Sequence, residues 1–291
     1  MRHLWWLSVL LGFSCLAAET TPYQDWLEFQ KEFADEAAGP AGMYAIQDML
    51  EIDPGETAYL LPDKTAGEAR WSKSANPAAL ASVEYRDKRA TLSGQGIQTT
   101  DLLKLKEPFH ALPNGLNVRA SILRDRLLKV WLYNPKLVQQ RKFKSLSFFP
   151  YDPQGVIKAT FQRNDAPVAV NYLDSREAAG TMFVVGTLRM QLAGKPYDLK
   201  AYSHKKNWDE INALLLLLRD RTSGKTTYGG GRVVDIHIPA GAPPQAVTVN
   251  LNTAYSFLCA HSEYYNCPLV LTNNIDAELR YGEKYPPLME K

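Results

Sequence analysis

The chain has 291 residues, 45% of them hydrophobic and 22% charged, a globular balance with enough length to bury a sizeable core. Its 33 basic and 31 acidic side chains leave a net charge of +2 with no basic block, which argues against nucleic acid as a partner. No low-complexity tract or fixed-period repeat is visible.

The first residues, MRHLWWLSVLLGFSCLAAET, run from a basic start through an apolar stretch (Leu4 to Phe13) to small residues ending at Ala17-Ala18. A bilayer span needs about 20 apolar residues, so the stretch is too short and has the form of a signal peptide cleaved near Ala18. Residues 1–18 are therefore expected to be removed, placing the mature protein in the periplasm or outside the cell, with no transmembrane span. A lipid anchor at Cys15 fits less well, because Gly12-Phe13-Ser14 lacks the large aliphatic residue that normally stands three positions before a lipidated cysteine. Cleavage leaves Cys259 and Cys267, expected to form a disulfide in an oxidising compartment. The loop between them is short, and the stabilisation is roughly 2–3 kcal/mol in the chain-entropy picture.

The mature start, TPYQDWLEFQKEFADEAAGP, predicts an amphipathic helix. Thr21 and Gln24 have capping-box spacing, Pro22 suits the first turn, Trp26, Phe29 and Phe33 share a face, and Gly39-Pro40 ends it. Met43 to Leu50 reads as a second short helix, and Asp53-Pro54-Gly55 as a turn. Beyond it come short alternating runs. VRASIL and LLKVWLY flank Arg124-Asp125-Arg126 as a hairpin; VIKATF, VAVNYL, TMFVVGTLRMQL, YDLKAY, VVDIHI, VTVNLN and DAELRY follow as strands. NWDEINALLLLLRD carries both helical and strand signals, and is read as a turn leading into a buried strand from Ala213 to Asp220. The expected fold is mainly antiparallel β, a sandwich or open barrel, with one or two helices at the front. The expected units are a helix plus β region over 19–135 and a β domain over 136–291.

RTSGKTTYGGGR, residues 221–232, contains the Gly-Lys-Thr of a phosphate-binding loop. Such a loop needs a glycine where Arg219 stands and a helix where a strand follows, so the nucleotide reading fails. A hairpin turn at Thr222 to Lys225 fits instead, with Gly224 free to take positive φ. The run Gly229-Gly230-Gly231 admits two readings: a bulge past which another chain segment runs, or backbone bared for a ligand.

FFPYDPQGVIKATF, LRDRTSGKTTYGGGR, VNLNTAYSFLCA, NCPL and AELRYGEKY occur in that order. Together they resemble the bacterial domain-of-unknown-function 1684 family, best over about residues 143–285. Where the family has Asp-Phe-Asn this chain has Asn250-Leu251-Asn252, and where it has Asn-Pro this chain has Phe257-Leu258. Asn273 or Asn274 fills the family's asparagine, and Gly282-Glu283-Lys284 is intact. The family name carries no established activity, so the resemblance implies a fold and a site, not a reaction.

The candidate ligand site gathers Thr222, Ser223, Tyr228, Gly229, Gly230, Arg232, Asn250, Asn252, Asn274, Glu283 and Lys284. Arg232 offers a planar fork for a carboxylate or phosphate, or pairs with Glu283. The first expectation is a cell-envelope module binding a small polar or anionic ligand there. The alternatives are a hydrolase using Glu283 and Tyr228 for proton transfer, and a purely structural protein. A zinc site could be drawn from Cys259, His261 and Cys267 with Asp235 and His237, which share a strand face, but no HExxH or paired CxxC spacing supports it, so neither metal nor other cofactor is expected. Oligomeric state is left open.

Overall fold

The computed structural model describes residues 21–289, apart from 64–67, 124–125, 175–176, 242–243 and 269–270. The expected leader with Cys15, and turn residues 124 and 125, lie outside the described residues. Strand accounts for 49% of the chain and helix for 15%, so the expected mainly antiparallel β class holds; the sheets do not close into a barrel.

Helix α1 (Pro22–Ala38) begins at the capping box read from the sequence: the Thr21 hydroxyl accepts from Gln24 N, and the Gln24 side chain accepts from Thr21 N. The next segment differs from expectation. Instead of a helix over 43–50, residues 46–52 form β1 (Ile46–Ile52). Strand pairing outweighs the weak helical pattern there, because Leu50 and Ile52 face Val130 and Leu128 across an antiparallel ladder. Asp48 also accepts from Trp71 N at 2.6 Å, tying β1 to its other neighbour.

Strands β2 (Thr57–Pro62), β3 (Ala69–Ser72), β4 (Ala81–Arg86), β5 (Arg89–Gly94) and β6 (Ile97–Asp101) form a five-stranded sheet in the order β3-β2-β4-β5-β6. Asp87 and Lys88, both at positive φ, make the two-residue β4–β5 turn that suits strand twist. β7 (His110–Ala111), β8 (Asn117–Leu123) and β9 (Leu127–Tyr133) add to β1 as β1-β9-β8-β7, so the expected 118–133 hairpin is present. Both sheets feed one apolar core containing Leu60, Val83, Leu92, Val118, Leu128 and Leu132.

After α2 (Lys136–Gln140) and β10 (Phe143–Phe148), the long hairpin β11 (Val156–Leu173) and β12 (Ala179–Leu192) starts the largest sheet. VIKATF and VAVNYL are thus one strand with a register shift between Arg163 and Val168. β13 (Lys195–Ser203), β14 (Ala213–Arg219), β15 (Arg232–His237), β16 (Ala246–Asn250) and β17 (Tyr255–Ser256) complete it, in the order β16-β11-β12-β13-β14-β15-β17. β18 (Asn273–Asn274) pairs parallel with β14, and β19 (Glu283–Met289) pairs with β10. Residues 276–281, expected as a strand, are not one. Their groups bond to side chains and turns instead, and Ala277 and Leu279 are buried in the core with Phe161, Leu188, Leu214, Val234 and Val249.

Helix α1 packs on the C-terminal sheets although it precedes the N-terminal ones. Phe29 meets Phe148 edge-on at 6.1 Å, Phe33 lies 5.3 Å from Tyr255, and Trp26 lies 5.4 Å from Tyr151. A third apolar cluster joins the two parts of the chain, combining Tyr44, Ile46, Trp131 and Leu146 with Leu258, Tyr264 and Tyr265.

Candidate functional site

The RTSGKTTYGGGR segment folds into a buried knot. Asp220, at the end of β14, accepts from Thr222 N at 2.7 Å and from the Thr222 hydroxyl at 2.6 Å. The Thr222 hydroxyl also lies 2.9 Å from that of Thr227, and the Thr222 carbonyl accepts from the amides of residues 225–227. Arg232 opens β15 beneath this turn with 1% of its side chain exposed. One terminal nitrogen donates to Asp220 Oδ2 at 2.5 Å and to the Leu279 carbonyl at 3.0 Å; the other donates to the Tyr281 carbonyl. Burial pulls the guanidinium below its ordinary value, and Asp220, then Glu283, pull it back up. Gly231 has φ +111° and lies against β14, where an added Cβ would stand 2.6 Å from the Leu218 carbonyl oxygen. Another backbone, not a ligand, occupies the space that this glycine leaves.

Glu283 sits in a second buried cluster. Its Oε2 accepts from Ser256 N at 2.7 Å. Its Oε1 is 3.0 Å from His261 Nε2, both side chains being fully buried, at ion-pair distance but off the line of a hydrogen bond. His261 Nδ1 lies 2.8 Å from the Tyr44 hydroxyl, whose phenol is pushed up by burial and then by Glu283 and Tyr285.

An open groove of about 440 Å3 lies between α1 and the edge of the C-terminal sheet, and the candidate residue Asn250 is among those lining it. Asp25, Glu28, Phe29 and Glu32 form its helical wall, and Asp235, His237, Thr248 and Tyr255 its strand wall. A second hollow of about 300 Å3 shares Phe29, Glu32, Asp235 and Tyr255 and extends to Glu36, Arg119 and Tyr265. Asp235 accepts from the Tyr255 hydroxyl at 3.1 Å. It keeps solvent access, yet protein crowds it, as at the floor of a cleft. That desolvation raises its carboxyl above the ordinary value, opposed by the Tyr255 hydrogen bond and by His237 and His204. Burial likewise pushes up the Tyr255 phenol, with Asp235 adding to the shift.

Residues 141–284 match the family described as "Protein of unknown function (DUF1684)". Through this region the chain belongs to the DUF1684 family. Among solved structures, the chain is similar to an uncharacterized protein of Haloarcula marismortui determined by solution NMR. The two are 30% identical over 50% of this chain and 78% of that one, with a TM-score of 0.42. Comparison with curated proteins returns no match.

Within the DUF1684 region the residues read as one cleft are distributed over several places. Thr222 and Arg232 share the knot, joined by Asp220, which sequence reading passed over as the end of a strand. Arg232 pairs with Asp220 rather than Glu283, and its terminal nitrogens are committed to protein acceptors, so it presents no fork to an anion. Glu283 reaches no solvent, so the geometry offers no proton transfer from it to a substrate. Tyr228 turns its hydroxyl to Cys259 Sγ at 3.8 Å and its ring edge to Tyr285; burial, then Cys259, raises its phenol. Gly229 packs near Gly224, and Gly230 is half-buried in the same turn. Asn252 clasps the backbone of Asp152 on both sides, at 3.0 and 2.9 Å. Asn250 donates to the Pro22 carbonyl at 3.1 Å, a bond that the family's aspartate, when ionised, has no proton to make. Asn273, not Asn274, is the internal fastener, bonded to both backbone groups of Lys200 and to the Leu217 carbonyl. Asn274 and Ser223 line a shallow hollow with Arg219 and Arg221, and Lys284 lies 5.7 Å over the ring of Phe149. No disulfide joins Cys259 and Cys267 in the structure, although they adjoin: Cys259 N donates to Cys267 Sγ at 3.2 Å. Among the described residues no group of three or more His, Cys, Asp or Glu side chains could hold a metal, and no helix is long and apolar enough to cross a membrane.

Of the groove's residues, Asn250 was read as a ligand candidate and Asp235 as part of a possible zinc face, whereas the acidic face of α1 was missed. Asp25, Glu28, Glu32 and Glu36 recur at helical spacing, and that was the available signal.

Proposed function

We propose that this is an exported binding module whose ligand is a small organic cation, seated in the groove between α1 and the DUF1684 sheet. The observation that carries the reading is the composition of the groove walls. Four carboxylates (Asp25, Glu28, Glu32 and Asp235) face a space of about 440 Å3 that also presents the rings of Phe29 and Tyr255. Carboxylates beside aromatic faces suit an ammonium or guanidinium carried on a hydrocarbon body. The sign of the expected ligand thus changes from the sequence reading, because the buried Arg232 is replaced by exposed carboxylates as the recognising groups. Export rests on the basic, apolar and small-residue order of residues 1–18.

Thermal-shift measurements with a polyamine, an arginine ester and, as controls, phosphate and glucuronate test the ligand class. The cations are expected to raise the melting temperature of the wild type and not of Asp235→Asn combined with Glu32→Gln. A shift from the anions alone, or an equal shift in the variant, would overturn the reading. Mass spectrometry of the protein recovered from culture tests export, and an intact Met1 start would contradict it.

A further inference from the structure

We propose that Cys259 and Cys267 form a redox-controlled staple, in which closing the disulfide fixes the segment by which the DUF1684 region holds the N-terminal sheets. The proposal stands independently of the groove and its ligand.

The two cysteines bracket a short segment whose ends and middle do different work. Its ends belong to the DUF1684 region: Cys267 is buried with Phe257, Leu217 and Val233, and Cys259 packs against the same cluster beside the Tyr228 hydroxyl. Its middle reaches across to the N-terminal part. The Tyr264 carbonyl accepts from Lys129 Nζ of β9 at 2.7 Å, and the Tyr264 hydroxyl donates to the Gln47 carbonyl of β1 at 2.9 Å. Asn266 Oδ1 is 3.3 Å from the same Lys129 ammonium, Tyr265 lies 5.3 Å from Trp131, and His261 meets the Tyr44 hydroxyl. The segment has little regular structure to hold it, only one short 3-10 turn at Leu258–Ala260. Few backbone ladders and many outward side-chain contacts describe a loop whose grip depends on how firmly its ends are fixed.

The cysteines stand where such a fixing bond forms. Cys259 N donates to Cys267 Sγ at 3.2 Å, which brings the two cysteines side by side. Hydrogen bonding with Cys259, then burial, pushes the Cys267 thiol up. Cys259 is only half-buried and is the sulfur that an oxidant meets first. A small-molecule or protein disulfide supplies the oxidation. Cys259, losing its proton, attacks one sulfur of that disulfide and releases the first thiol. Cys267, losing its proton, attacks the mixed disulfide at Cys259 Sγ and releases the second. Two protein thiols are oxidised, one external disulfide is reduced to two thiols, and the count of atoms and electrons closes.

The test compares the full chain in oxidised and in reduced glutathione. Intact mass and alkylation read whether the pair has closed, and amide hydrogen exchange over 259–267 with thermal melting reads what closure does. Oxidation is expected to remove two hydrogens, slow exchange in that segment at least about tenfold, and raise the melting temperature by about 5 °C or more, as closing a short loop in a chain of this size should. Cys259→Ser combined with Cys267→Ser is expected to melt identically in both buffers. Three results would overturn the proposal: two thiols still alkylated after oxidation, glutathione left attached to Cys259, or a closed disulfide with exchange and melting unchanged.

Discussion

Arg232 and Asp220 pair with 1% and 0% of their side chains exposed, so each charge depends on the other for its compensation. Removing one partner leaves the other ionised in a poorly solvated site. Asp220→Asn or Arg232→Met is expected to cost about 3–5 kcal/mol, read by urea denaturation. Gly231→Ala is expected to cost more than about 1 kcal/mol, since alanine resists φ +111° and its Cβ would press on β14. Asp235 behaves differently because solvent reaches it. Its folded carboxyl is raised, so the folded state binds the proton more readily than the unfolded state does. Its protonation therefore favours folding below the raised value, and that contribution is lost as pH rises through it. Binding of a cation runs the other way, since it needs the carboxylate. Affinity for a polyamine is expected to fall as pH drops through a value above the ordinary aspartate range, and Asp235→Asn is expected to flatten that profile in a calorimetric pH series. At this scale the sequence marked Arg232 and Glu283 as unusual but not their roles. A charged side chain announces its chemistry in sequence, whereas its partner and its burial depend on residues far away, such as Leu279 and Tyr281 for Arg232.

Helix α1 was legible because its signals are local: cap, first-turn proline, apolar face and terminal Gly-Pro all lie within residues 21–40. Thr21→Ala removes the reciprocal cap and is expected to destabilise the helix by about 1 kcal/mol, visible as faster amide exchange confined to its first turns. Strand β14 was also legible, because a run of leucines ending in a turn fits a strand buried on both faces. β1 was not, since its identity comes from pairing with β9, some eighty residues on. The 276–281 segment was misread for a related reason. Its apolar alternation is real, and Ala277 and Leu279 do face the core, but its carbonyls accept from the turn after β14 and from the Arg232 side chain, at Ala277 and Leu279, rather than from a ladder.

At the scale of the whole molecule, the DUF1684 motifs divide between the interior and the open space. The knot around Asp220 and Arg232 and the pair Glu283–His261 lie inside, while the groove forms where α1 returns to cover the sheet edge at Tyr255. Family resemblance located the first and only one wall of the second, through Asn250 and Tyr255, because the other wall is a helix that precedes the matched region. The β class was readable from alternation, but the return of α1 across the N-terminal sheets was not, since it rests on aromatic contacts with Phe148, Tyr151 and Tyr255 that only the assembled chain brings together. The central claim is that the ligand site is this groove and that the glycine-rich motif is architecture. A crystal structure of the protein soaked with a short diamine tests it most directly. The account predicts density between Glu32 and Asp235 against the ring of Tyr255. Density beside Gly229, Gly230 and Asn274 with the groove empty would contradict it.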